Sequence, residues 1–233
     1  MIVYQEVETL IGEPFGMNFS DRSINIDTTI RCTLECPKCR RQSYRKEGLP
    51  PGGPDGKDLS LDNFKKLLDY FDHFSFCGQV SDPIFTPNLI DMLKLINDAG
   101  KGVSVATAAT SKKHNKDWYF EAFKANPQAK WIFGIDGLPH ISFMYRINQD
   151  GEFLFEMAKL CAKMCRETIW QYIVFSYNEH QIDEAIDLAQ ENNIDFRINL
   201  STRWKDGFDI YQPKNAMLYK ERPNQWKKLK ARF

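Results

Sequence analysis

Three cysteines within eight residues, at positions 32, 36 and 39, constrain this chain more than any other feature. They lie in Asp27-Thr28-Thr29-Ile30-Arg31-Cys32-Thr33-Leu34-Glu35-Cys36-Pro37-Lys38-Cys39, with spacing C-x3-C-x2-C. Three thiolates on one short loop match three irons of a four-iron cubane, which ordinarily takes four cysteines. A loop with no evident fourth partner leaves one iron open, as a catalytic metal site keeps one position free. The competing chemistry is half of a structural zinc site, which calls for a fourth Cys or His at a recognisable spacing. The sequence has no second cysteine pair on a loop, and its four histidines are scattered. Iron–sulfur binding is the favoured reading, with zinc beside it.

The rest of the chain alternates two periodicities. Ser23 to Thr29 reads as a strand that runs directly into the thiol loop. Phe74–Cys77, Gly102–Ala108, Trp131–Ile135, Gln171–Phe175 and Phe196–Leu200 read as five more. Between them fall helical patterns. Ser60 caps one that carries Leu61, Phe64, Leu67, Leu68 and Phe71, and Thr86-Pro87 opens another that Gly100 ends. Trp118–Phe123, Phe153–Cys165 and Ile182–Ala189 are three more. Strands alternating with helices imply right-handed crossovers and a parallel sheet. The thiol loop then lies at the C-terminal end of a strand, where α/β barrels carry their functional groups. The Pro/Gly run from Gly48 to Gly56 reads as a loop.

Bulk properties exclude little. Basic and acidic residues number 31 each, so net charge argues neither for nor against a nucleic-acid partner. No apolar run is long enough to span a bilayer, and residues 1–10 lack a signal-peptide pattern. The expected location is the cytoplasm, without a membrane partner. Thiols stay reduced there, so six cysteines point to metal and not to disulfides.

The thiol loop resembles the signature of the radical S-adenosylmethionine (radical SAM) superfamily. That resemblance implies that Cys32, Cys36 and Cys39 ligate a 4Fe-4S cluster. It implies that S-adenosylmethionine (SAM) chelates the open iron and is cleaved by one electron, and that the 5'-deoxyadenosyl radical takes hydrogen from a substrate. An electron donor such as flavodoxin or ferredoxin is the implied partner. The implied fold is α/β, a partial (β/α)6 TIM-like barrel of parallel strands over residues 23–202. Residues 1–22 form an N-terminal extension and 203–233 a basic tail. One departure is Lys38, where the family usually places an aromatic residue before the last cysteine.

Further stretches carry the resemblance. Gly78-Gln79-Val80-Ser81-Asp82-Pro83 is similar to the family's Gly-Gly-Glu-Pro segment, which implies Ser81 and Asp82 at the SAM ammonium. A cation in a dry cleft needs a paired acceptor. The bland reading is an Asp-Pro turn that caps a helix. Gly134-Ile135-Asp136-Gly137 looks like the Ser-x-Asp-Gly segment of the peptide-maturing and molybdopterin-pathway branches, with Arg146 as their following arginine. Arg146 is then a bidentate holder of the SAM carboxylate, against the alternative of a solvated surface arginine. With Gly134 in the place of the usual serine, the ribose contact passes to Asp136. Ser176 and Asn199, at the ends of the fifth and sixth strands, are assigned to the adenine side.

The remaining features read as structure first. Cys161 and Cys165 lie four apart on an apolar helical stripe, the pattern of core residues. Cys77 falls near the barrel mouth, and a buried strand cysteine is the simpler reading. His140 and His180 read as structural. No cysteine follows Cys165, so the cysteine-rich auxiliary-cluster domain of the peptide-modifying branch is expected to be missing. The substrate implied by the Asp136–Arg146 region is a peptide or protein side chain. The basic aromatic tail motivates a nucleotide or nucleobase as the alternative, and a non-catalytic metal-binding module is the second alternative.

Overall fold

The computed structural model describes residues 22–50, 56–201 and 209–214. Six strands form one parallel sheet in chain order: β1 Ser23–Ile26, β2 His73–Phe76, β3 Gly102–Thr107, β4 Lys130–Gly134, β5 Glu167–Val174 and β6 Asp195–Leu200. Each strand pairs with the next, and among the described residues β1 and β6 are the two free edges. Among the described residues six α-helices connect them, two between β1 and β2 and one in each later connection: α1 Arg40–Lys46, α2 Leu61–Tyr70, α3 Leu89–Asp98, α4 Lys116–Ala125, α5 Gly151–Met164 and α6 Ile182–Glu191. This is the open six-unit α/β barrel that the alternating periodicities predict.

The helices cover one face of the sheet, and aromatic rings join the two layers. Phe64 of α2 meets Phe74 and Phe76 of β2 at centroid distances of 5.2 and 6.0 Å. Tyr119 and Phe123 of α4 meet Trp131 of β4, and Phe155 of α5 meets Trp170 of β5. All eight rings are fully buried or nearly so, and each contributes roughly 2–3 kcal/mol by leaving water. These residues hold alternate strand positions, so the intervening ones face the concave side.

Apart from shifts of one to two residues at element ends, the structure differs from the sequence reading at four places. β1 ends at Ile26, not Thr29, because Asp27 turns its carboxylate to Gln79 N–H and the Ser81 hydroxyl. Arg40–Lys46 is a helix that no apolar periodicity announces, since Arg41 is its single buried residue. Pro87 does not open α3, which starts at Leu89; Asp82 instead caps a 3-10 turn over Pro83–Phe85, and Thr86 bonds Thr28. β5 begins at Glu167, four residues before Gln171, because it pairs with both β4 and β6 along its length.

No described helix is long and apolar enough to cross a membrane. The N-terminal extension lies outside the described residues except for Arg22. The basic tail does too, except for residues 209–214, and so do residues 51–55 of the Pro/Gly loop.

Candidate active site

The strands end on one side of the sheet, and their following loops enclose a cavity of about 270 Å³. Cys32, Cys36 and Cys39 line it together with Arg41, the Cys77–Asp82 segment, Ala106–Ala108, Ile132, Gly134, Arg146 and Gln171. The structure thus brings the thiol loop, Ser81, Asp82 and Arg146 to one place. Ser176 and Asn199 do not line this cavity. Ser176 pairs with the 209–214 segment: its N–H donates to Tyr211 O at 3.0 Å and its hydroxyl to Ile210 O. Asn199 stands on β6 beside Ile173.

The thiol loop is pinned on several sides. Glu35 N–H donates to Ile147 O at 3.1 Å, Asn148 Nδ2 to Thr33 O at 3.2 Å, and the Thr33 hydroxyl to Thr110 O at 3.0 Å. Asp82 N–H donates to Arg31 O at 2.9 Å. Arg41, 5% exposed, reaches back from α1 and donates through Nη1 to Ile30 O at 2.6 Å and to Val80 O at 2.9 Å. One guanidinium therefore fixes the thiol loop against the segment after β2. Lys38 pairs with Asp209, and Tyr211 packs edge-on against Tyr145, so residues 209–211 lie against the same loop.

Asp82 is buried under four donors. Its carboxylate accepts from Ala108 N–H and Ala109 N–H, both at 2.8 Å, from the Thr107 hydroxyl at 2.8 Å and from Ile84 N–H at 3.3 Å. Burial pushes its carboxyl upward, and those donors pull the other way. Its visible role is to staple the end of β2 to the end of β3. The bland reading, a capping Asp-Pro turn, describes part of that role.

Asp136, with no exposure, also acts on its neighbours. Oδ1 accepts from Ile173 N–H at 2.8 Å, and Oδ2 accepts from Arg146 Nε at 2.7 Å. It does not line the cavity and reaches it only through Arg146, whose side chain is 14% exposed. Asp136 holds the Arg146 guanidinium above its ordinary range. Arg146 lies over Gly134. A Cβ at 134 would come within 3.0 Å of Arg146 Nη2 and 3.2 Å of Ala108 Cβ, so the glycine makes room for the guanidinium. Gly78 has a similar reason: a Cβ there would stand 1.8 Å from the Ser81 carbonyl oxygen.

The donor set, three thiols on one cavity, fits a metal cluster. Burial pushes the Cys32 thiol up to about 12, with Asp82 adding to the rise, and the Cys36 thiol up to about 11. A bound cationic centre reverses that order by taking the place of the protons. Three thiols that line one cavity suit a cluster in which each takes a different iron. Arg41 lines the cavity, and its buried Nε has no hydrogen-bond partner.

Sequence reasoning missed Asp27, Arg41, Gln149 and Gln171. Gln149 Nε2 bridges Ala108 O and Gly134 O at 2.5 and 2.9 Å. For Asp27 a signal existed, a carboxylate at a strand end before the thiol loop. Cys77 lines the cavity as a fourth thiol, donating to Asn25 Oδ1. Cys161 is fully buried on α5 and accepts from the Thr168 hydroxyl, a core residue as its spacing predicts.

No family model matches the chain, and no curated protein matches it in sequence. Its shape does match. Its open parallel β/α barrel is shared by solved structures that are radical SAM enzymes. Streptococcus suis SuiB bound to precursor peptide SuiA gives a TM-score of 0.65 at 14% identity, over 90% of this chain and 47% of SuiB. Native anSMEcpe with bound AdoMet and Cp18Cys peptide gives 0.58 at 16% identity, over 83% of this chain and 55% of that protein. Methylornithine synthase PylB gives 0.55 at 10% identity, over 77% and 53%. The chain spans about half the length of these proteins, and what it shares with them is the fold.

Proposed function

We propose that this chain is a radical SAM enzyme acting on a peptide or protein side chain. The observation that carries the proposal is the single cavity in which Cys32, Cys36 and Cys39 meet the guanidinium groups of Arg41 and Arg146. In this reading the three thiolates hold a 4Fe-4S cluster. When bound, the cluster supplies the electron that cleaves SAM to methionine and a 5'-deoxyadenosyl radical, which takes a hydrogen atom from the substrate. The chain's own residues position and shield. Arg146, aimed by Asp136, offers its outer nitrogens to the SAM carboxylate, and a planar fork suits a carboxylate. Arg41 fixes the distance between the thiol loop and the Cys77–Asp82 segment. Asp82 and Ser81 form the wall on the ammonium side. This rigidity matters because a carbon radical abstracts whichever hydrogen lies in contact with it.

The peptide substrate is supported by SuiB and anSMEcpe, both solved with peptides bound. A small electron-transfer protein such as flavodoxin or ferredoxin is the partner this chemistry calls for, and the cytoplasm is where it would operate. The test is anaerobic reconstitution with iron and sulfide, followed by reduction in the presence of SAM. The expected result is a brown protein that releases 5'-deoxyadenosine, and a Cys36→Ala variant that holds little iron and releases none. A colourless, zinc-loaded protein that leaves SAM intact overturns the reading.

A further inference from the structure

The concave face of the sheet mixes polar side chains with Ile132, Ile169 and Ile173. A closed barrel fills its interior with bulky branched side chains. Here the concave positions include Asn25, Ser75, Ser104, Lys130, Gln171 and Arg197, on alternation from the rings packed beneath the helices. Most of these groups satisfy one another. Cys77 donates to Asn25, Ser104 to Ser75 at 3.2 Å, and Lys130 pairs with Glu167 at 2.9 Å. Arg197 differs. No hydrogen bond or ion pair joins its side chain to another described residue, while Asp195, two residues back on the same face, is itself engaged.

Its place in the sheet gives that cation a purpose. Gly134, Gln171 and Arg197 stand side by side in one row across β4, β5 and β6. The Arg146 guanidinium lies over Gly134, and Gln171 lines the thiol cavity. Neighbouring strands are about 4.8 Å apart, so Arg197 stands about 10 Å along the row from Gly134, with Gln171 between. Asn199 follows Arg197 on the same concave face.

We propose that Arg197, with the Gln171 amide, binds a carboxylate of the substrate and so fixes the reacting carbon beside the cavity. This rests on the function proposed above and names the substrate class: a carboxylate-bearing molecule. Toward the strand ends Gln171 and Asn199 flank the guanidinium with neutral amides, Asp195 lies on its other side, and one guanidinium suits one negative charge. A phosphate dianion in the same half-buried row would keep a surplus charge without a partner. The planar fork also matches a carboxylate in two parallel hydrogen bonds. The carboxylate belongs either to a peptide or to a free small acid, and the probes separate the two.

The test measures binding to anaerobically reconstituted protein by calorimetry. Its probes are glutarate, a capped tripeptide with central glutamate, its glutamine counterpart, and inorganic phosphate. Saturable binding of the glutamate tripeptide, at least about tenfold tighter than the glutamine one, supports the proposal with a peptide source. Binding of glutarate alone supports it with a free-acid source. Arg197→Gln is expected to lose about tenfold or more for whichever carboxylate binds. Equal binding of the glutamate and glutamine peptides, preference for phosphate, or full carboxylate affinity in a folded Arg197→Gln overturns it. The comparison of the two peptides uses unaltered protein, so it decides even where the variant does not fold. Failure of the unaltered protein to hold iron and SAM is the separate result that removes the underlying function.

Discussion

Removing Asp136 tests how the site aims its arginine. The carboxylate has no exposure and holds two donors, Arg146 Nε at 2.7 Å and Ile173 N–H at 2.8 Å. Asp136→Ala leaves a largely buried guanidinium without its counter-charge, which costs roughly 3–5 kcal/mol. In urea, at a slope of about 2 kcal/mol per molar, the midpoint falls by about 2 M. Arg146→Met is milder. Burial already pushes the Asp136 carboxyl upward, and Arg146 is the main influence against it, so losing Arg146 lets the carboxyl rise further and weakens the charge left behind. The double variant Asp136→Ala, Arg146→Met removes both charges, and apolar replacement of a buried pair is close to neutral. Its cost is expected to be below about 2 kcal/mol, giving a coupling of roughly 2–3 kcal/mol in the cycle. The assay is equilibrium denaturation of the metal-free protein followed by circular dichroism, which needs no cofactor. Costs of the two single variants that simply add, within about 0.5 kcal/mol, would refute the argument.

Other outcomes follow from the same contacts. Gly78→Ala puts a Cβ 1.8 Å from the Ser81 carbonyl oxygen, so backbone must shift; a loss of about 1–3 kcal/mol should lower the melting temperature by several degrees, and an unchanged melt would contradict the close approach. The Lys38 hydrogen bond holds the Asp209 carboxyl below the ordinary carboxylate range. A depressed folded value means that the contribution of this contact is fully present above the unfolded value near 4 and is lost as pH falls through the lower one. Hydrogen exchange at the Ser176 amide, which donates to Tyr211 O, should therefore accelerate on acidification relative to the Phe175 amide, which bonds Asn178. Parallel pH dependence at the two amides counts against a role for Asp209.

The barrel was legible because its signals are local. Phe64, Phe74 and Phe76 repeat at the periods of a helix and a strand, and the sequence order of the strands is also their spatial order. The thiol loop was legible from spacing alone. The rest of the site depends on partners far apart in the chain. Nothing in Arg40-Arg41 distinguishes the arginine that bridges Ile30 and Val80 from its exposed neighbour. Asp82 and Asp136 stand out as acids at strand ends. That their oxygens bind Ala108, Ala109, Ile173 and Arg146 is fixed by the packing of adjacent strands, and no single stretch encodes it. Gln171 reads as one more strand residue until its register against Gly134 places it in the cavity.

The chain leaves the thiol loop along α1 and comes back at Asp58, whose carboxylate takes the Thr29 hydroxyl at 2.6 Å and Arg31 Nη2 at 2.5 Å. Leu59 N–H then joins Thr28 O at 2.9 Å. Arg41 of α1 holds the departure on Ile30 O and Val80 O, so departure and return are anchored independently at the base of the cysteines. Lengthening the intervening excursion changes neither anchor, and doubling a loop costs only about 0.6 kcal/mol in closure entropy. This is a point where whole segments can be added or exchanged while the three sulfur atoms keep their spacing.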